Sequence, residues 1–194
     1  MRRPPPTLRH ATGLRLLNLG CGERFLPGWV NADYFKPQQW LRGRRKPDWI
    51  VDVTAPLPAP SGTFDGVLLE HVNEHLTYSA NLRLLREVAR ILRPGGTLRV
   101  VVPALERYLE WPEARLREPK LARFASLPEA LSSLTQNHQH RSVWDTALMC
   151  ETLTALGFVN VRSCAHRDSE CAALAAEAES HAWESVQVEA DAPG

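Results

Sequence analysis

The residues with chemical potential begin at a glycine turn. Gly20-Cys21-Gly22 follows a short apolar run, Leu14, Leu16, Leu17 and Leu19. Glycine there lets the backbone turn tightly and approach a ligand with no side chain in the way. Asp33 and Asp52 lie at the ends of the next two apolar segments, 29–33 and 49–53. Ligands of open α/β sheets bind outside the carboxyl ends of the strands. A carboxylate at the second strand end accepts from both hydroxyls of a ribose, and one at the third accepts from the exocyclic amine of adenine. Arg24-Phe25 follows Glu23, so the third glycine of a dinucleotide fingerprint is missing. A nucleoside without a pyrophosphate fits that turn better. Singly, Gly-x-Gly or a strand-end aspartate is an ordinary turn; at successive strand ends they point to a nucleoside site.

The histidines form a second group. Histidine titrates near neutral pH and suits a base that removes a proton from a hydroxyl. His71 and His140 are the two base candidates, with His138 and Arg141 beside the latter. His71-Val72-Asn73-Glu74-His75 also matches a zinc-hydrolase pattern, in which two imidazoles on one helix face hold a metal and Glu74 serves as base. It falls at a strand-to-helix junction, which puts His71 before the helix. Capping and hydrogen bonding are the plainer roles for Glu74 and His75, and no metal is expected. Cys164, His166, Cys171 and His181 match no standard zinc spacing. Arg42, Arg44, Arg45 and Lys46 read as a solvated face before they read as a phosphate or RNA site.

These residues need elements to position them. Segments 29–33, 49–53, 64–69, 97–102, 158–162 and 185–189 follow the first strand as strand candidates. Residues 79–92 are the clearest helix, with Leu82, Leu85, Val88, Ala89 and Leu92 on one face and Arg93-Pro94-Gly95-Gly96 as its stop. Asp145 caps a second helix lined by Met149, Leu153 and Leu156 and closed by Gly157. Strands alternating with helices indicate an α/β sheet. Only residues 23–28 separate the first two strands, so this crossover must be abbreviated, because parallel neighbours normally need about a dozen residues or more between them. Residues 171–182 are alanine-rich and open to a helical reading.

With 194 residues the chain holds one domain. Lys and Arg number 23 against 22 Asp and Glu, a formal charge of +1 that argues against a dedicated nucleic-acid binder. Apolar residues reach 44%, which argues against wholesale disorder, and no apolar run is long enough to span a bilayer. Four cysteines without a Cys-x-x-Cys, and a charged, proline-rich start in place of an apolar signal stretch, lead to the expectation of a reducing, cytoplasmic location.

Longer stretches carry a resemblance. Leu17-Asn18-Leu19-Gly20-Cys21-Gly22, Asp33, Val51-Asp52-Val53, residues 64–76 from Phe64 to Leu76, and Arg90-Ile91-Leu92-Arg93-Pro94-Gly95-Gly96-Thr97-Leu98 resemble the small class I S-adenosylmethionine-dependent methyltransferases. His140 to Asp145, Leu156 to Val159 and Glu184 to Ala190 are similar to that family's later elements. The resemblance covers residues 14–164 and 184–190. It implies a Rossmann-like three-layer α/β sandwich with a mostly parallel seven-stranded sheet and an antiparallel last strand. It implies S-adenosyl-L-methionine as cofactor, lined by Asn18, Gly20, Cys21, Gly22, Asp33, Tyr34, Asp52, Val53, Glu70 and His71. Asp33 would hold the ribose, and Asp52 with Val53 would meet adenine. Glu70 and His71 would border methyl transfer. Asn18 stands where an acidic residue is usual, which implies weaker cofactor affinity.

The expected layout is a tail at 1–12, a methyltransferase domain at 13–190 with a variable covering segment at 104–144, and a short tail at 191–194. Tyr108, Trp111, Phe124, His138, His140, Trp144 and several arginines in that covering segment suit a polar, anionic or sugar-like small molecule. The expected reaction is methyl transfer to an oxygen, or a nitrogen, of such an acceptor. A non-catalytic cofactor-binding module and the zinc hydrolase are the alternatives. Oligomeric state is not legible in the chain.

Overall fold

Strands need partners on both sides to bury an apolar run, and the runs here find them in one sheet. The computed structural model describes residues 3–34, Lys36, Gln38 and 43–194. Its strands are β1 (Leu16–Leu19), β2 (Val30–Asp33), β3 (Trp49–Ile50), β4 (Phe64–Glu70), β5 (Leu92–Pro103), β6 (Val159–Cys164) and β7 (Ser185–Asp191). They form a seven-stranded sheet of order β3-β2-β1-β4-β5-β7-β6. β1 to β5 pair in parallel, and β7 runs antiparallel to both β5 and β6. β1 is buried at all four residues, as a central parallel strand must be.

The short crossover is real. β1 and β2 pair directly, Leu17 opposite Val30, with only residues 20–29 between them. A buried amide takes the place of a helix in holding the link. Asn31, 3% exposed, accepts from Leu26 N at 2.8 Å and from Asn18 Nδ2 at 3.1 Å, and its own Nδ2 donates to Asp48 at 2.9 Å.

Alternation sorts the side chains onto two faces. Leu17, Leu19, Val67, Leu69, Leu98, Val100, Val186 and Val188 point into the main core. It is covered by α1 (Tyr78–Ile91) and α6 (Thr146–Ala155). Thr77 caps α1 by accepting from Ala80 N, and Asp145 caps α6 by accepting from Leu148 N at 2.7 Å. The face that α1 buries is Ala80, Leu84, Leu85, Val88 and Ile91; Leu82, expected inward, is only half-buried. Leu16, Leu68 and Val101 point to the opposite face with Trp29 and Leu174. Arg99, Gln187 and Glu189 share that second face by the same alternation and are buried. The chain covering it forms two 3-10 turns, Ala172–Leu174 and Glu179–His181, not the helix that its alanines allowed. A third apolar cluster sits in the cap made by α2 (Leu105–Leu109), α3 (Trp111–Ala114), α4 (Pro119–Ala122) and α5 (Leu127–Gln136).

Boundaries differ from the expected ones where backbone hydrogen bonding overrides composition. β3 ends at Ile50, so Asp52 lies two residues beyond the strand. β5 starts at Leu92 and irregularly includes the Pro94-Gly95-Gly96 turn. The segment before β1 lies against the sheet: Trp49 Nε1 donates to Arg3 O at 2.9 Å and Arg15 to Pro6 O at 3.0 Å. At the other end β7 runs on to Asp191, and Ala192 N donates to Gly96 O. Met1, Arg2 and Arg42 lie outside the described residues. No described helix is long and apolar enough to cross a membrane.

Candidate active site

The residues expected to meet a nucleoside stand at the carboxyl ends of β1, β2 and β3. Gly20 and Gly22 both have positive φ, +82° and +54°. Gly22 is exposed, and a Cβ on it would meet nothing within 4 Å, so the space over the turn is open. Gly20 has a different reason: a Cβ there would lie 2.3 Å from Val72 Cγ2. Asp33 accepts from Gly22 N and from Tyr34 N, both at 2.6 Å, which ties the glycine turn to the end of β2. Asp52 is exposed and holds Thr54 through N and Oγ1. Tyr34 is 54% exposed beside Asp33, and Val53 packs against the core.

The side chains of Asn18 and Cys21 are buried beneath the glycine turn. Asn18 is 3% exposed and its Nδ2 donates to Arg24 O at 2.8 Å, so its amide holds the turn from inside. Cys21 is buried, and burial with the charges of Asp33 and Asp48 pushes its thiol up to about 12. That keeps it protonated and inert. Of the basic cluster, Arg44 pairs with Glu23 at 2.8 Å and Arg45 lies 4.0 Å from the Phe25 ring centroid. Both brace the link after the glycine turn.

Glu70, at the tip of β4, is engaged on every side. Oε2 pairs with Arg24 at 2.6 Å, and Oε1 accepts from Ala178 N at 2.6 Å and contacts His181 Nδ1 at 3.0 Å. Burial opposes its ionisation, but these donors override that and hold its pKa below the usual value. Arg24 also donates to Ala176 O. The clasp therefore joins the link after the glycine turn to the segment before β7.

His181 is also a wall of a cavity of about 420 Å³ beyond the ends of β4 and β5. His71, Glu74, His75, His138 and His140 line it, with Tyr108, Lys120, Arg123, Trp183 and Glu184. Two of its lining residues, His71 and His138, hold positive φ without being glycine. Such strain concentrates at functional sites. His71 does not have the free nitrogen a base needs. Its Nδ1 stands 3.0 Å from Glu74 Oε1 and its Nε2 2.9 Å from Ser185 Oγ. Burial opposes its charging, but contact with Glu74 and the charges of Glu184 and Glu70 raise its pKa above the ordinary imidazole value. His140 differs. Its Nδ1 lies 2.6 Å from the Leu134 carbonyl, which can only accept, so Nδ1 carries a proton and leaves Nε2 as the nitrogen that a neutral imidazole offers as acceptor.

Only part of the expected cavity lining appears. Tyr108, His138 and His140 are there, but Trp144 is 1% exposed in the main core, and Phe124 and Trp111 pack within the helical cap. Trp183, Glu184 and His181 were not anticipated as lining, because nothing local marks the residues before β7. Glu74 and His75 were marked by their motif, but its helical geometry does not occur. Asn73–His75 is a single 3-10 turn, and His71 precedes it in a left-handed conformation.

Comparison with known proteins follows this geometry. A family model described as a methyltransferase domain matches residues 17–100. No curated protein matches the chain in sequence. Among solved structures, an S-adenosylmethionine-dependent methyltransferase from Archaeoglobus fulgidus is similar at 16% identity and a TM-score of 0.54, over 92% of this chain and 86% of that one. The Burkholderia thailandensis 1,6-didemethyltoxoflavin N1-methyltransferase, holding S-adenosylhomocysteine, is similar at 15% identity and 0.53, over 93% and 72%. Human N-acetylserotonin methyltransferase with S-adenosylmethionine is similar at 17% and 0.56, over 92% and 47%. The chain spans 50% of a carbon methyltransferase that it also resembles. Residues 17–100 match a methyltransferase domain, and the sheet order with its reversed β7 is a fold that the chain shares with these S-adenosylmethionine-dependent methyltransferases.

Proposed function

We propose that this protein binds S-adenosyl-L-methionine over the glycine turn and transfers its methyl group to an oxygen of a small, polar, hydroxyl-bearing acceptor held in the cavity beyond β4 and β5. The observation that carries the reading is that cavity, which adjoins Glu70 and His71 and is lined mainly by polar side chains. Its size suits one small ligand. The residues at the strand ends fit the cofactor. Gly22 leaves open space, and Asp33 and Asp52 offer carboxylates where ribose hydroxyls and an adenine amine need acceptors. When bound, the cofactor supplies an electrophilic methyl on a sulfonium.

The chain supplies placement. Glu70 and His181 stand between the glycine-turn link and the cavity and position its wall. Tyr108, which donates to Glu184 at 3.2 Å, and Trp183 offer aromatic faces for the acceptor. His140, whose Nδ1 is held by the Leu134 carbonyl and whose Nε2 is left for the task, is the base for an acceptor hydroxyl, and His71 orients Glu74. The toxoflavin and acetylserotonin enzymes act on small molecules as their names state, which supports an acceptor of that size.

Calorimetry with S-adenosylmethionine and S-adenosylhomocysteine tests the cofactor half. Wild type is expected to bind both. Asp33→Ala loses a charged acceptor worth about 1.5–3 kcal/mol, so it is expected to bind roughly 10–100-fold more weakly. Absence of binding by wild type, or unchanged binding by the variant, overturns the reading. Transfer of labelled methyl to a panel of hydroxylated metabolites then separates a catalyst from a binding module.

A further inference from the structure

The cavity wall carries a cluster that methyl transfer does not require. Glu74, His75 and His140 each present one ligand atom, and these atoms all lie within 4.8 Å of one another. We propose that Glu74, His75 and His140 form a binding site for a divalent transition cation, zinc foremost, at the edge of the acceptor cavity.

Four observations support it. First, Glu74 is 2% exposed, and its Oε2 has no partner among the described residues. His71 Nδ1 stands 3.0 Å from Oε1. A buried carboxylate with unfilled acceptor sites costs several kcal/mol unless a cation meets it. Second, the His140 imidazole is braced as metal-ligating ones are. His140 Nδ1 donates to the Leu134 carbonyl, and the exposed His75 ring lies against the His140 ring. His140 then has its other nitrogen for a metal, the usual outer-sphere arrangement. Third, the backbone locks the two segments together, since Arg141 N and Ser142 N both donate to Glu74 O, at 2.7 and 3.2 Å. Fourth, the His75 and His140 rings face each other edge-on, 5.1 Å between centroids.

Donors about 2.0–2.1 Å from a zinc ion sit about 3.4 Å apart in a tetrahedron. The three atoms therefore need to close by about an ångström, which side-chain rotation supplies. Two imidazoles and one carboxylate suit zinc, iron, cobalt or nickel better than magnesium or calcium. Three protein ligands leave further positions open to a ligand in the cavity, as catalytic rather than structural sites do. With the cation bound, the His140 lone pair is occupied, and activation of an acceptor hydroxyl passes from a histidine base to the metal.

Metal binding is read without cofactor or acceptor, so its failure is distinct from failure of the methyl-transfer reading. Chelator-stripped full-length protein is titrated with Zn²⁺ alone by calorimetry and with Co²⁺ by visible absorption. One equivalent is expected, with a Co²⁺ spectrum of low coordination number. Outer-sphere losses cost up to about 100-fold in affinity, so loss of a direct ligand in Glu74→Gln, His75→Ala or His140→Ala is expected to cost at least that. His138→Ala, which alters the same wall but no ligand, is expected to bind as wild type does. His75 is exposed, so its variant keeps the fold testable, and thermal melting checks this. Absence of stoichiometric binding, or wild-type affinity in His75→Ala, overturns the proposal, as does an equal loss in His138→Ala.

Discussion

Glu177→Ala is expected to remove about 3–5 kcal/mol of folding stability, the usual result of breaking a buried ion pair. Arg99 lies on the second face of the sheet by strand alternation and is 0% exposed. Its guanidinium donates to Glu177 at 2.5 Å and to Glu189 at 2.9 Å, and to the carbonyls of Asp168 and Ala165. Glu177 also accepts from Arg167 N at 2.6 Å. Truncation leaves the guanidinium with Glu189, which already pairs with Arg162 at 2.6 Å. It also frees the segment that carries Leu174 onto Leu16 and Leu68 and that supplies Ala176 and Ala178 to the Glu70 clasp. Replacing both partners, as Arg99→Met with Glu177→Leu, is expected to cost less than the sum of the singles, because no unpaired charge is left inside.

Acid unfolding reports the same pair. Burial opposes ionisation of Glu177, but Arg99 and the Arg167 N–H override it, so its folded pKa lies below the ordinary 4.5. Its contribution is then full above that ordinary value and is lost as pH falls through the depressed one. Urea denaturation as a function of pH is the measurement. A loss in Glu177→Ala below about 1 kcal/mol, the scale of an exposed pair, overturns the assignment.

Gly20→Ala is the second large effect. A β-carbon at φ +82° costs about 1–2 kcal/mol by itself, and forcing a methyl into a packed site adds about 1–3. Both apply, since that carbon would lie 2.3 Å from Cγ2 of the buried, β-branched Val72. The expected loss is about 2–5 kcal/mol. Displacing the turn would also strain the bonds of Gly20 N and Cys21 N to Ala32 O, which join it to β2. Gly22→Ala has the positive φ but open space, and is expected to cost only the backbone part. Adding Val72→Ala to Gly20→Ala is expected to recover the packing part, so the double loses less than the singles summed. Equal losses in Gly20→Ala and Gly22→Ala would show that the contact with Val72 carries no energy.

The two glycines illustrate what was legible and what was not. Their place after an apolar run marked the turn, but nothing in Gly-Cys-Gly distinguishes a glycine needed for a core neighbour from one that leaves room for a ligand. Asn18 looked like a ligand contact from its neighbours in the chain. Its partner Asn31 comes from β2, and only strand pairing shows that the two amides face each other. The spacing of four around His71 fits one helix face, but the motif's place at a strand-to-helix junction put His71 before the helix, where the structure has it. The left-handed backbone at His71 breaks that geometry and aims its ring at Glu74.

The sequence by itself determined the seven strands, α1 and α6 and their order, but it did not place the helices of the cap or the turns before β7. Apolar runs, the Thr77 and Asp145 caps and the Pro94-Gly95-Gly96 and Gly157 stops act over a few residues, and covalent spacing is enough to read them. It also put Asp33 at the end of β2 and Asp52 just past the end of β3, because a strand's direction carries its last residues to the ligand side of the sheet. Tertiary structure alone decided which side chains meet. Glu70 joins Arg24 and His181, and Glu74 with His75 meets His140, across long stretches of chain. Such meetings depend on how the 3-10 turn after β4, the helical cap and the segment before β7 pack over one end of the sheet. Packing sums many weak contacts between distant residues, and no local spacing encodes it.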